Sequence, residues 1–230
     1  MLYSKSETRT MPRTPSPISS ESNLGSLLGV MWPSSGIHID RTPANPLDSD
    51  SSTIQTVELM SRLARASSHS PIVQYALSLA LSELPADSSS RVICRAIYSW
   101  IKANVQFSED EALIWQGLGI SQVDKELLIP PDTLLRMPIP MGDCDDFSLL
   151  GASMLLAAGI PCSFVTIAAD PNEPDKFSHI YLKACILDEG SIENQDGETK
   201  PLELCFDASH GNYLGWEYQG YTRKAEWRVS

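Results

Sequence analysis

The apolar residues of this chain change their period once, near residue 160. Before that point they recur at helical spacing. Ile54, Val57, Leu59, Met60 and Leu63 fall mostly along one face of a helix over 53–66. Ser70 at an N-cap position and Pro71 at the first helical position predict a second helix bearing Ile72, Val73, Ala76, Leu77, Ala80, Leu81 and Leu84, stopped by Pro85. A serine run, 88–90, precedes a third with Val92, Ile93, Ala96, Ile97, Trp100 and Ile101. The fourth carries Phe147, Leu149, Leu150, Met154, Leu155 and Leu156, with Gly151, Ala152 and Ala157 small enough for a neighbour to approach, and ends at Gly159. Beyond it the period is two. Segments 163–168, 179–187 and 202–207 read as strands, 188–199 as a polar connector, and 213–218 and 225–229 as edge strands. Helices followed by antiparallel strands define an α+β chain, with a helical part at 53–158 and a sheet part at 162–230.

Residues 1–52 do not share this patterning. Ser, Thr and Pro make up 22 of them, so the segment reads as a disordered tail in which Leu24, Leu27, Leu28, Val30, Met31 and Trp32 form a loose apolar patch. The chain carries 17 basic and 29 acidic residues, a net charge of −12. Residues 106–230 alone hold 8 basic and 21 acidic side chains, so the excess lies entirely behind the first helices. A nucleic-acid partner would require clustered Lys and Arg, and anionic lipid would require the same. No 18-residue apolar run and no signal-type segment is present, so the expectation is a cytoplasmic protein with neither nucleic acid nor membrane as partner. The oligomeric state is not legible. Five cysteines without a Cys-x-x-Cys pair argue against both a disulfide scaffold and a structural zinc site.

Cys144 differs from the other four. Cys94, Cys162, Cys185 and Cys205 fall on apolar faces and read as small buried hydrophobes. Cys144 sits in Gly142-Asp143-Cys144-Asp145-Asp146-Phe147, where a loop becomes a helix. Unpaired N–H groups and the helix dipole favour thiolate there, so selective alkylation well below pH 8 is expected. A nucleophilic thiol needs a base and a group to orient it. His38 lies in the tail, His69 in an interhelical turn and His210 in a loop. His179 opens a strand, which fixes its position, and Asp207 ends another; if the two strands pair, the carboxylate reaches the imidazole. Asp188 and Glu189 are rival acids that read better as turn residues. The long connection 106–142 has the length of a functional loop.

The cysteine block, with Leu149-Leu150 and Ala157-Ala158-Gly159-Ile160-Pro161 after it, resembles the transglutaminase-like superfamily. Phe177-Ser178-His179-Ile180-Tyr181 resembles its histidine strand, Leu204-Cys205-Phe206-Asp207-Ala208 its aspartate strand, and Arg95–Ile101 with Val105-Gln106-Phe107 the segment before the cysteine loop. The resemblance covers about residues 90–216 and implies a papain-like core in which the Cys144 helix packs on an antiparallel sheet. It implies Cys144 as nucleophile, His179 as base and Asp207 as orienter, acting on a protein or peptide through a thioester acyl-enzyme. Backbone N–H groups at the helix start would bind the oxyanion, with Gln106, Trp115 or Gln116 as a side-chain donor. Hydrolysis of a peptide or amide bond is the first expectation. Acyl transfer from glutamine to an amine is the alternative, and a non-catalytic binding module is a third. The segment Leu127-Leu128-Ile129-Pro130-Pro131-Asp132-Thr133-Leu134-Leu135 resembles phage-associated members.

No cofactor is assigned. Asp143, Asp145 and Asp146 read first as helix-capping acids. Because their charge opposes a thiolate, calcium held near Asp143 and Asp145, as in some bacterial proteases resembling this superfamily, is the alternative.

Overall fold

The computed structural model describes residues 37–40, 49–109, 125–193 and 199–229. In chain order the elements are β1 (Ile37–Asp40), α1 (Ser49–Ser68), α2 (Pro71–Ala80), α3 (Ser90–Asn104), β2 (Gln106–Phe107), β3 (Lys125–Leu128), α4 (Pro131–Leu134), β4 (Met141–Gly142), α5 (Cys144–Ala157), β5 (Cys162–Ile167), β6 (His179–Glu193), β7 (Thr199–Phe206) and β8 (Lys224–Arg228). The expected α+β arrangement is present: the helices precede a four-stranded antiparallel sheet in the order β7-β6-β5-β8. No helix among the described residues is long and apolar enough to cross a membrane.

Helix α5 is central. Every residue from Asp145 to Leu155 is buried, so the helix is enclosed on all sides rather than amphipathic. Helices α1, α2 and α3 pack against it, and so do β5 and β6. The small residues in its sequence are used as expected at Gly151. A Cβ there would come within 2.9 Å of Leu182 Cδ1 and 3.1 Å of Phe206 Cε1, so only glycine lets α5 lie this close to the sheet. Ile180, Leu182, Ala184 and Ile186 alternate along β6 toward this core, which also holds Phe164 and Phe206. Val165, Ile167 and Tyr181 form a smaller cluster with Tyr221 on the opposite face.

Several boundaries differ from the sequence expectation. Helix α1 starts at Ser49 rather than residue 53. Residues 37–40, expected within the tail, form β1 and pair antiparallel with β3. The connector 188–199 is shorter than expected, because β6 runs on to Glu193 and β7 begins at Thr199, with an irregularity between Ile186 and Ser191 absorbing the mismatch. Segment 213–218 is not a strand. The Trp216 N–H bonds to the Tyr213 carbonyl, closing a turn, and the Gly215 N–H bonds to the Cys205 carbonyl. The predicted N-cap Ser70 does not cap: its hydroxyl donates to Asp132 Oδ2 at 3.2 Å and ties the α1–α2 turn to α4. Within 127–135, Leu128, Ile129 and Leu134 are buried in the main core, so that part of the motif packs the region beside α5.

Candidate active site

The chain enters α5 through a short parallel pair, β2 with β4. Gln106 N–H donates to the Pro140 carbonyl and Ser108 N–H to the Gly142 carbonyl, each at 2.9 Å. Asp143 is the N-cap, its Oδ1 accepting the Asp145 N–H at 3.1 Å. Asp146 is fully buried and accepts the Ile129 N–H at 2.7 Å, which joins the 129–131 bend to the first turn of the helix. Gly142 is required by that arrangement, since a Cβ would land on the Asp146 carboxylate.

Cys144 follows, half-buried at the first position of α5. It and Ser148, one turn on, both meet the backbone of Ile180. The Ile180 N–H bonds to the thiol sulfur, and Ser148 Oγ donates to the Ile180 carbonyl at 3.2 Å. The helix that carries the cysteine is thereby fastened to the second residue of β6, directly after His179.

The electrostatics at Cys144 run against the expected resting thiolate. Burial raises its pKa most, and the Asp143 and Asp145 carboxylates raise it further, with Asp207 adding to them. The Ile180 N–H acts in the opposite direction and does not compensate. Helix position alone is therefore a poor guide: the dipole contribution is a fraction of a charge, whereas two full charges flank the sulfur.

Register brings His179 and Asp207 together. His179 pairs with Ile167 at the end of the β5–β6 ladder, and Phe206 pairs with Leu182, so the chain leaves β7 at Asp207 beside the start of β6. His179 Nε2 lies 2.9 Å from Asp207 Oδ2, with the aspartate side chain 3% exposed and the histidine 12%. The second oxygen, Oδ1, accepts from Ser209 Oγ at 2.8 Å and from the His210 N–H at 2.9 Å. Burial opposes charge on Asp207, but the His179 contact and these two donors hold its carboxyl down at about 2. With Nε2 committed to a carboxylate, Nδ1 is the nitrogen of His179 left for proton exchange.

His210 was assigned to a loop by sequence and given no role. The structure sets its ring edge-on to His179, 4.9 Å between centroids, and edge-on to Phe107 at 4.7 Å. The turn that carries it is braced from α3: Tyr98 Oη and Lys102 Nζ donate to the Gly211 carbonyl at 2.7 and 2.8 Å. Burial lowers the His210 pKa, and His179 and Lys102 lower it further against an opposing effect of Asp207. The available signal was the Asp207-Ala208-Ser209-His210 run, in which an aspartate oxygen can accept from residues two and three further on.

The remaining candidates lie apart from this centre or outside the described residues. Asp188 is exposed within β6 and accepts the Ser90 N–H at 2.8 Å, so it serves the start of α3 rather than His179. His69 is exposed after α1. Gln106 is described and exposed on β2, whereas Trp115 and Gln116 lie outside the described residues, as does the apolar patch 24–32. Asp143, Asp145 and Asp146 each offer an oxygen within 4.8 Å of the other two, a hard donor set suited to calcium rather than zinc.

No family model matches the chain, and no curated protein matches it. Similar solved structures include a candidate cysteine protease from Cytophaga hutchinsonii, at 22% identity and a TM-score of 0.36 over 60% of this chain. A candidate protease from Parabacteroides distasonis is 16% identical, with a TM-score of 0.38 over 73% of this chain. The chain spans 38% and 31% of the length of these two proteins. Legionella pneumophila LapG is 15% identical, with a TM-score of 0.39 over 69% of this chain and 75% of its own.

Proposed function

We propose that the chain is a cysteine hydrolase of peptide or amide bonds, with Cys144 as nucleophile, His179 as general base and Asp207 as the residue that orients it. The observation that carries this reading is the buried 2.9 Å contact between His179 Nε2 and Asp207 Oδ2, one residue from the Ile180 N–H that meets the Cys144 sulfur.

In this reading the resting nucleophile is a neutral thiol, since burial and the Asp143 and Asp145 carboxylates disfavour a standing thiolate. His179 takes the thiol proton on Nδ1 as sulfur attacks the substrate carbonyl, and Asp207 stabilises the imidazolium through Nε2–H. The oxyanion meets the Cys144 N–H, a first-turn amide with no helical acceptor of its own. The imidazolium then protonates the leaving amine, and the thioester is cleaved when His179 removes a proton from water. Divalent cation held by Asp143, Asp145 and Asp146 would supply positive charge beside the sulfur, favouring thiolate.

The test is covalent labelling of Cys144 by a peptidyl acyloxymethyl ketone, read by mass spectrometry. Labelling of wild type that is lost in His179→Ala is expected. Equal labelling rates in the two proteins would overturn the reading. Incubation of the wild type with a glutamine-containing protein and a tagged primary amine tests the acyl-transfer alternative in parallel.

A further inference from the structure

We propose that His179, Asp207 and His210 form a binding site for a first-row transition-metal ion, zinc above all, and that its occupancy switches the Cys144 centre off. Each of the three offers a ligand atom within 4.8 Å of the other two. Two imidazoles and one carboxylate are donors that zinc takes, and three protein ligands leave a position for water.

The site is built rather than gathered. His179 is fixed by the β5–β6 ladder, and Asp207 and His210 sit three residues apart on one turn closed by the Gly211 N–H to Asp207 carbonyl bond at 3.0 Å. In a tetrahedral zinc site with bonds of about 2.0–2.1 Å, ligand atoms stand about 3.3 Å apart. His179 Nε2 and Asp207 Oδ2 are already 2.9 Å apart and need only open slightly. His210 must close by rotation of an exposed ring, which leaves its backbone bond to Asp207 in place. The two oxygens of Asp207 divide the work. Oδ2 faces His179 and is free to turn to the ion, whereas Oδ1 stays held by Ser209 Oγ and the His210 N–H, the kind of outer hydrogen bond that orients a metal carboxylate. Lys102, the nearby cation, is occupied by the Gly211 carbonyl.

Coordination at Nε2 displaces the proton that now points at Asp207. In the neutral ring that proton moves to Nδ1, the nitrogen that has to accept the Cys144 proton, so the base is lost without any change at sulfur. This consequence rests on the function proposed above; the binding does not.

The experiment titrates zinc chloride against a chromogenic zinc indicator in the full chain carrying Cys144→Ala, alone and combined with His210→Phe or His210→Gln. One zinc per chain is expected, with affinity reduced at least about tenfold in both His210 variants, since loss of an outer partner alone costs about 10–100-fold. Equal affinity with and without His210, or no zinc retained, overturns the site. As a check that needs no further substitution, zinc should shift the ring-proton resonances of His179 and His210 and leave those of His69 unmoved; unmoved His179 and His210 signals also overturn it. Inhibition is read separately, as probe labelling of Cys144 relative to each protein's own zinc-free rate. A His210-dependent zinc site in a protein without Cys144 reactivity would leave the binding standing and remove the hydrolase reading; labelling that proceeds at the zinc-free rate in zinc-loaded protein would overturn the switch and leave the hydrolase reading standing.

Discussion

His179 and Asp207 are 28 residues apart in sequence and meet at 2.9 Å because of the β6–β7 register, in which Leu182 stands opposite Phe206. Side chains alternate along a strand, so a slip of one residue in the β6–β7 ladder would turn one partner to the other face. The contact is thus a property of the sheet, while the first turn of α5, with Cys144, meets the Ile180 backbone.

Replacing Asp207 by Asn keeps the side-chain shape but removes the charge that stabilises the imidazolium. Hydrolysis or probe labelling should fall on the order of 10²–10⁴-fold. A loss of less than about threefold would show that His179 does not depend on it.

The same group gives a stability signature. The folded carboxyl titrates at about 2 instead of the ordinary 3.8, so its stabilisation is complete above about pH 4 and disappears as pH falls through 2. One pKa unit is worth about 1.4 kcal/mol, which makes the effect about 2 kcal/mol. Urea midpoints measured from pH 5 to pH 2 should converge for wild type and Asp207→Asn at the acid end.

Asp143 both caps α5 and opposes charge on Cys144. Asn caps a helix as well as Asp, so Asp143→Asn removes the second function and keeps the first. Its Cys144 alkylation profile should move to lower pH with the melting temperature little changed, while Asp143→Ala adds a destabilisation of about 1 kcal/mol. Calcium bound by the three acids would move the wild-type profile in the same direction, an effect that a chelator reverses.

The α+β order, α5, and the pairing of His179 with Asp207 were legible because each rests on periodicity or strand position. Other features had no such signature. The two-residue strands β2 and β4 are too short to show a period, and β1 lies in a segment whose Ser/Thr/Pro content spoke for disorder. The thiolate expectation set a helix dipole against charge alone and did not include burial, the first of the causes that raise the pKa of this sulfur. His210 was passed over because loop residues carry no pattern; only the turn after β7 shows that its ring rests on His179.

Gly142 tests the entry to the helix independently of any activity. A methyl group at this position would displace the Asp146 carboxylate from the Ile129 N–H, combining overpacking with loss of a buried hydrogen bond. Gly142→Ala should destabilise by about 1–3 kcal/mol. Unchanged denaturant stability would mean that the first turn of α5 can shift, and with it Cys144.

The brace on the 207–211 turn calls for a double-mutant cycle. Tyr98 Oη and Lys102 Nζ donate to the same buried Gly211 carbonyl, so either donor alone leaves it satisfied. Tyr98→Phe keeps the ring, including its edge contact with Phe206 at 5.5 Å, and should cost no more than about 1 kcal/mol, as should Lys102→Met. Together they orphan the carbonyl, at a penalty of about 1–3 kcal/mol that neither single change incurs. The pair should therefore be worse than additive in stability, and labelling of Cys144 should drop mainly in the double variant, because that turn supplies both hydrogen bonds to Asp207 Oδ1. Strict additivity would show that α3 does not hold the turn, and that Asp207 is kept in place by the strand end alone.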